Sequence, residues 1–262
     1  MKAILLTAAL AVFALQATAQ TTPTAATTSR AAADQIPTSK GPLTVQPITH
    51  GSVVFTWSGK TIYVDPYGGA AGYTALAAPD LILITDIHGD HLDPKTLAGL
   101  YVGKALLIVP QAVAEKLPAE YKSQVRILRN GQQLDTLGLS VSAIPMYNLP
   151  AAADAPHTKG RGNGYVLTLG GKHVYLSGDT EDIPEMRALQ HIDVAFVCMN
   201  LPYTMDVNQA AQGVLAFKPG IVYPYHYRGQ NGLSDVAAFK KTVNAANKKI
   251  DVRLRNWYPS AQ

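Results

Sequence analysis

The chain has 262 residues, 47% of them hydrophobic and 15% charged, with 21 Gly and 17 Pro, a balance that excludes a disordered, collagen-like or coiled-coil protein. Its 22 Lys and Arg against 18 Asp and Glu give a formal net charge of +4 with no dense basic run, so no nucleic-acid partner is expected. The only cysteine, Cys198, excludes an intrachain disulfide and a C-x-x-C zinc or redox motif, which leaves His, Asp and Glu to hold any metal.

In chain order, Lys2, the apolar run from Ile4 to Leu15 and the small residues Ala17-Thr18-Ala19 have the form of a secretory signal peptide cleaved after Ala19. The run is shorter than the roughly 20 residues that span a bilayer, so no stable membrane anchor is expected after cleavage. Residues 1–19 are read as this signal and the protein as periplasmic or secreted. Residues 20–42 are rich in Ala, Thr, Pro and Ser without apolar periodicity and read as a flexible leader. The folded domain is expected over 43–262.

That domain opens with strands at Leu43–Ile48, Ser52–Trp57 and Thr61–Val64, the last two joined by the turn Ser58-Gly59-Lys60. Leu81–Ile84 is a continuous apolar run of the kind buried on both faces. A helix capped by Asp93 follows at Pro94–Leu100, then a strand at Ala105–Val109 and a helix at Gln111–Lys116. Further strands are expected at 124–128, 139–144, 164–169, 173–177, 194–198, 221–225 and 252–255, and helices at 183–190, 207–216 and 233–246. Strands and helices interleave in two groups, each opened by a hairpin, which predicts an α/β protein of two stacked sheets flanked by helices.

Directly after the run Leu81–Ile84 stands Thr85-Asp86-Ile87-His88-Gly89-Asp90-His91-Leu92-Asp93. Imidazoles and carboxylates crowded in this way at a strand end need a cation to offset their charge and desolvation. Asp179, in Ser177-Gly178-Asp179-Thr180, and His226, in Tyr225-His226-Tyr227, occupy equivalent strand-end positions.

T-D-x-H-x-D-H-L-D, then S-G-D-T, then a late strand ending in His resembles the metallo-β-lactamase superfamily. Ile48-Thr49-His50-Gly51-Ser52 and Ile62-Tyr63-Val64-Asp65-Pro66 are similar to the branch of ascorbate-6-phosphate lactonase and N-acylphosphatidylethanolamine phospholipase D. The resemblance implies an αββα sandwich of two mixed β-sheets flanked by helices, with a metal site, usually zinc, at one edge. It implies that His88 binds a first ion, that Asp90, His91 and His226 bind a second, and that Asp179 bridges them. Asp86 stands where the family has a histidine; as a ligand it favours Mn2+ or Fe2+ relative to Zn2+. Asn148 stands near the place of another family histidine, and His157, in a Pro/Ala/Gly-rich loop, is the alternative. Zinc is therefore expected at one tight and one weaker site.

Asp65 is a candidate hydrogen-bond partner for a ligating imidazole. His50, Tyr147, Tyr227 and Arg228 are candidate substrate contacts, the arginine suiting a phosphate or carboxylate group. The expected reaction is hydrolysis of a small ester, lactone or phosphodiester by metal-bound hydroxide, with Asp90 or Asp179 orienting the nucleophile. The competing readings are a non-catalytic metal-binding protein with a degraded first site, and a β-lactamase.

Overall fold

Alternate residues of Leu81–Ile84 face opposite ways: Leu81 and Leu83 enter the core between two sheets, while Ile82 and Ile84 pack outward with Leu97, Val113 and Tyr121 under a helical layer. This strand is buried on both faces because helical crossovers cover its sheet. The computed structural model describes residues 30–259; the signal segment and the first part of the leader lie outside the described residues.

The first sheet runs β1 (Asp34–Ile36), β2 (Leu43–Thr49), β3 (Ser52–Trp57) and β4 (Lys60–Val64), all antiparallel, then β5 (Leu81–Leu83) in parallel. Helix α1 (Pro94–Gly99) leads to β6 (Leu106–Val109), and α2 (Gln111–Lys116) to β7 (Val125–Ile127), both also parallel. The second half repeats this plan. β8 (Gln133–Thr136), β9 (Leu139–Met146), β10 (Gly162–Leu169) and β11 (Lys172–Leu176) form an antiparallel meander. Then α3 (Pro184–Arg187), β12 (Val194–Cys198), α4 (Val207–Phe217) and β13 (Ile221–Tyr225) continue in parallel. A short hairpin of β14 (Arg228–Gly229) and β15 (Gly232–Leu233), helix α5 (Val236–Ala246) and the edge strand β16 (Asp251–Val252) complete the chain. Two mixed sheets of seven strands face one another between helices, which is the αββα architecture.

Local sequence explains where the helices begin. Asp93 accepts hydrogen bonds from the backbone of Lys95 and Thr96 ahead of Pro94, and Asp206 and Gln209 form a reciprocal capping box at α4. The leader reading needs correction at its end: Asp34–Ile36 pairs with β2 and buries Ile36, because Asp34 is tied to Tyr223 and Arg255 from the second half. α3 is a single turn, and Leu233 belongs to β15 rather than to α5. Among the described residues no helix is long and apolar enough to cross a membrane.

Candidate metal centre

The ionisable residues gather where the parallel strands of both sheets end. Asp65 follows β4, the segment 85–91 follows β5, Asp179 follows β11 and His226 follows β13, while His50 sits in the turn between β2 and β3. Asp65, His50 and His226 all adopt left-handed backbone, with φ of 42°, 53° and 47°, a strained conformation for residues with a Cβ that clusters at functional sites. The two halves meet closely here. Asn163 N donates to Thr85 O at 2.9 Å, and a Cβ on the neighbouring Gly162 would lie 2.8 Å from that same oxygen.

His91 is fully enclosed. Its Nδ1 lies 2.8 Å from Asp65 Oδ2, and Asp65 is itself fixed by Thr85 N at 2.8 Å and Thr85 Oγ1 at 2.6 Å. The buried carboxylate therefore holds a proton on Nδ1 and turns the Nε2 lone pair toward the cluster. From Nε2 of His91, Nε2 of His226 is 3.2 Å away and Asp179 Oδ2 is 3.4 Å away. His226 Nε2 in turn lies 3.3 Å from Asp90 Oδ2 and 3.5 Å from Asp179 Oδ1.

The second group is Asp86, His88 and His157. Asp86 is buried, with His88 Nδ1 2.8 Å from its Oδ2. Arg161, from the β9–β10 connection, forks onto both of its oxygens: Nε donates to Oδ1 at 3.0 Å and Nη2 to Oδ2 at 2.8 Å. His157 is not an exposed loop residue, as its Pro/Ala/Gly-rich surroundings imply. It is 2% exposed, with Nε2 3.1 Å from Asp179 Oδ2 and 4.0 Å from Asp86 Oδ2. Asn148 does not face the cluster as a ligand. Its Oδ1 accepts from His157 N at 2.7 Å, and its Nδ2 donates to Glu181 Oε1 and Tyr203 O, so the amide carries His157 into place.

Burial works against ionised carboxylates here, and the neighbours overcome it. Hydrogen bonds from His88 and Arg161 outweigh burial and push Asp86 down to about 2. Asp90 and Asp179 are likewise held well below the usual carboxylate range against the effect of burial, Asp90 by hydrogen bonds with His226 and His50 and Asp179 by the positive potential of His226 and His91. Burial alone would depress His91, yet Asp179 and Asp65 raise it well above the usual imidazole value. The cluster thus demands positive charge, which protonated histidine supplies or a cation can replace.

The donors fit a metal. Ligands at about 2.0–2.1 Å from a tetrahedral ion lie about 3.3 Å from one another; the separations among His91, His226 and Asp179 run from 3.2 to 3.5 Å, and Asp90 lies 3.3 Å from His226 and 3.9 Å from His91. Asp179 Oδ1 is buried without a hydrogen-bond partner among the described residues, as a group awaiting a ligand would be.

A cavity of about 370 Å³ opens onto these residues, lined by His88, Asp90, Pro156, His157, Asp179, Asn200 and Tyr203. Of the proposed substrate contacts, His50 is wedged between Tyr258 and Asp90, its Nδ1 2.6 Å from the tyrosine hydroxyl and its Nε2 3.0 Å from Asp90 Oδ2. Tyr147 and Tyr227 are not brought to the cavity: Tyr147 donates to Glu185 Oε2 at 2.9 Å and Tyr227 to Arg255 O at 3.2 Å. Arg228 stacks on Tyr258 and lines a separate cleft with Arg30 and Tyr67. Sequence reasoning missed Arg161, Asn200 and Tyr203. Asn200, two residues beyond the end of β12, shares the strand-end position that marks the other site residues.

Residues 44–226 match the β-lactamase superfamily domain. The chain belongs to that family. Among relatives of this β-lactamase-superfamily chain are UPF0173 metal-dependent hydrolases of Pyrococcus abyssi, 29% identical with 73% of this chain and 88% of the relative covered, and of Thermococcus onnurineus, 31% identical with 70% and 85% covered. A solved structure from Parabacteroides distasonis, described as a candidate metal-dependent hydrolase, is 38% identical with a TM-score of 0.76, over 86% of this chain and 98% of that one. Igni18, a metallo hydrolase of Ignicoccus hospitalis, shares the fold at 24% identity and a TM-score of 0.68, over 81% and 94%. The chain is a metal-dependent hydrolase of the metallo-β-lactamase fold.

Proposed function

We propose that the protein is exported by its N-terminal signal and hydrolyses a small ester, lactone or phosphodiester in the periplasm or medium, at a centre held by Asp90, His91, Asp179 and His226. The convergence of His91, Asp179 and His226 at ligand-edge spacing, with Asp90 joined to them through His226, beside a cavity sized for a small molecule, carries the reading. Those residues would hold a divalent ion, whose chemistry there would be to acidify water toward a pKa of about 7 and to offset negative charge on a carbonyl or phosphoryl oxygen. Asp65 keeps His91 in the tautomer that presents Nε2. Asp90, at 32% exposure the most open carboxylate of the cluster, is placed to orient the attacking water by accepting a hydrogen bond on Oδ1, since Oδ2 faces His50 and His226. Asp179 Oδ1, without a hydrogen-bond partner among the described residues, is the second acceptor. Zinc suits the nitrogen and oxygen donors, and the number of carboxylates also admits Mn2+ or Fe2+.

Metal analysis of the purified mature protein, followed by turnover of ester, lactone, phosphodiester and β-lactam panels, tests this. Full activity in a metal-free preparation would sink it, and turnover confined to β-lactams would move the assignment to a lactamase. The second reading, a metal-binding protein without catalysis, draws on the capture of Asp86 by Arg161; it predicts bound metal and no turnover on any panel. Intact mass of the exported protein should place the mature N-terminus at Gln20, and a retained residue 1 would refute export by cleavage.

A further inference from the structure

We propose that Arg161 is a built-in cation that takes the charge of Asp86 in place of a second metal ion, so that the protein holds one ion tightly and another only weakly. The inference rests on the metal-hydrolase reading above and concerns the asymmetry of its two ligand groups.

A carboxylate has about four lone-pair positions. In Asp86 two face the guanidinium fork of Arg161, and Oδ2 also lies 2.8 Å from His88 Nδ1. Planar guanidinium on carboxylate is the strong, orienting form of ion pair. Both partners are anchored. Asp86 is fully buried at the end of β5, and the side chain of Arg161 is only 19% exposed. Arg161 N donates to Thr158 O, and two residues on Asn163 N donates to Thr85 O, the residue before Asp86. The pair is thus clamped by backbone on both sides.

To an arriving dication, Asp86 and Arg161 together present no net charge. Drawing Asp86 out of the fork would leave the guanidinium unpaired in a largely enclosed place, which is costly. The other group meets no such competitor. Among the described residues the groups within ion-pair distance of Asp179 are His91, His157 and His226, none of them an arginine or lysine. The ion at Asp90, His91, Asp179 and His226 therefore binds first and tightly. Arg161 is a positioning residue: it acts through Asp86 rather than on substrate.

The experiment is titration of metal-free protein with Zn2+ by calorimetry with chelator competition, together with the ion count retained after gel filtration. The unmodified chain should retain one ion. Arg161→Gln should retain two, with the affinity of the weaker site raised about tenfold or more by removal of a like charge, whereas Arg161→Lys, which keeps the charge without the fork, should retain one ion and show a smaller rise than Arg161→Gln. Should Arg161→Gln fail to fold, the double variant Asp86→His with Arg161→Gln removes both charges, supplies an imidazole and should also retain two ions. Two ions bound with equal affinity by the unmodified chain, or a folded Arg161→Gln whose weaker site is unchanged, would overturn the inference and leave the hydrolase reading standing. An unmodified chain that retains no ion would overturn both.

Discussion

Asp65→Asn tests how a residue that touches no ion governs the centre. Asp65 accepts three hydrogen bonds: Thr85 N at 2.8 Å on Oδ1, and Thr85 Oγ1 at 2.6 Å and His91 Nδ1 at 2.8 Å on Oδ2. An asparagine with its oxygen toward Thr85 N keeps the first bond and points an NH2 group at His91 Nδ1. The imidazole then loses its carboxylate acceptor, keeps only Thr85 Oγ1 at 2.9 Å on Nδ1, and shifts toward the tautomer with its proton on Nε2, the atom that faces His226 and Asp179. That tautomer cannot ligate. Loss of such an outer partner typically lowers metal affinity 10–100-fold, or about 1.4–2.8 kcal/mol. The folded state should lose about 1.5–3 kcal/mol with the charged hydrogen bonds. Competition with a chromophoric zinc chelator measures the first quantity and chemical denaturation of the metal-free protein the second. Asp65→Ala is a poorer probe, since it strands Thr85 N and His91 together. A folded Asp65→Asn that binds zinc as tightly as the unmodified chain would refute the claim that Asp65 sets the His91 tautomer.

Removal of metal by chelation should lower thermal stability, because the folded state alone assembles the ligands; at an ion concentration 100 times Kd the loss is about 2.7 kcal/mol, and melting curves insensitive to chelator would contradict it. Gly51→Ala should weaken zinc binding, since the added Cβ would lie 2.9 Å from His226 Cδ2 and must displace the ring; overpacking of this kind costs about 1–3 kcal/mol, and unchanged affinity would show that His226 can yield without loss. Burial works to raise Asp34, but hydrogen bonds with Arg255 and Tyr223 hold it below its usual value of 3.8. A carboxyl lowered on folding contributes stability above its unfolded pKa that is lost as pH falls through the folded one, so Asp34→Asn should flatten the acid limb of the stability profile below about pH 4 and leave an acid limb of unaltered slope only if β1 is not held by charge.

The parts of the site legible in sequence are those whose signal is local. Asp86, His88, Asp90 and His91 follow a short continuous apolar run of the kind buried on both faces, and Asp65, Asp179 and His226 each follow a strand whose last residues are buried. His157 has no such signal. It lies in a loop whose composition predicts exposure, and it is carried inward by a two-way clasp in which Asn148 N donates to His157 O and His157 N to Asn148 Oδ1. Two segments of the fold escaped for a related reason: β8 is a largely exposed edge strand without apolar alternation, and β1 is fixed by Tyr223 and Arg255, residues far along the chain.

Asp86→His separates the sequence-level argument from the structural one. Read alone, the motif says that an imidazole in place of Asp86 restores the family ligand and should raise zinc occupancy. With Arg161 in view the same substitution removes the only carboxylate on that guanidinium among the described residues. Breaking one side of a buried pair costs about 3–5 kcal/mol, and the 19% exposure of Arg161 places it toward the lower end. At about 2–4 °C per kcal/mol for a chain of this size, the melting temperature should fall by roughly 6–12 °C. The unpaired cation should also repel an ion from the new imidazole, so the single variant gains no zinc. Melting curves and zinc counts on Asp86→His decide the matter: a second tightly held ion with unchanged stability would mean that Arg161 finds solvent or another acceptor without cost, and that the identity of residue 86 alone sets the occupancy of the first position.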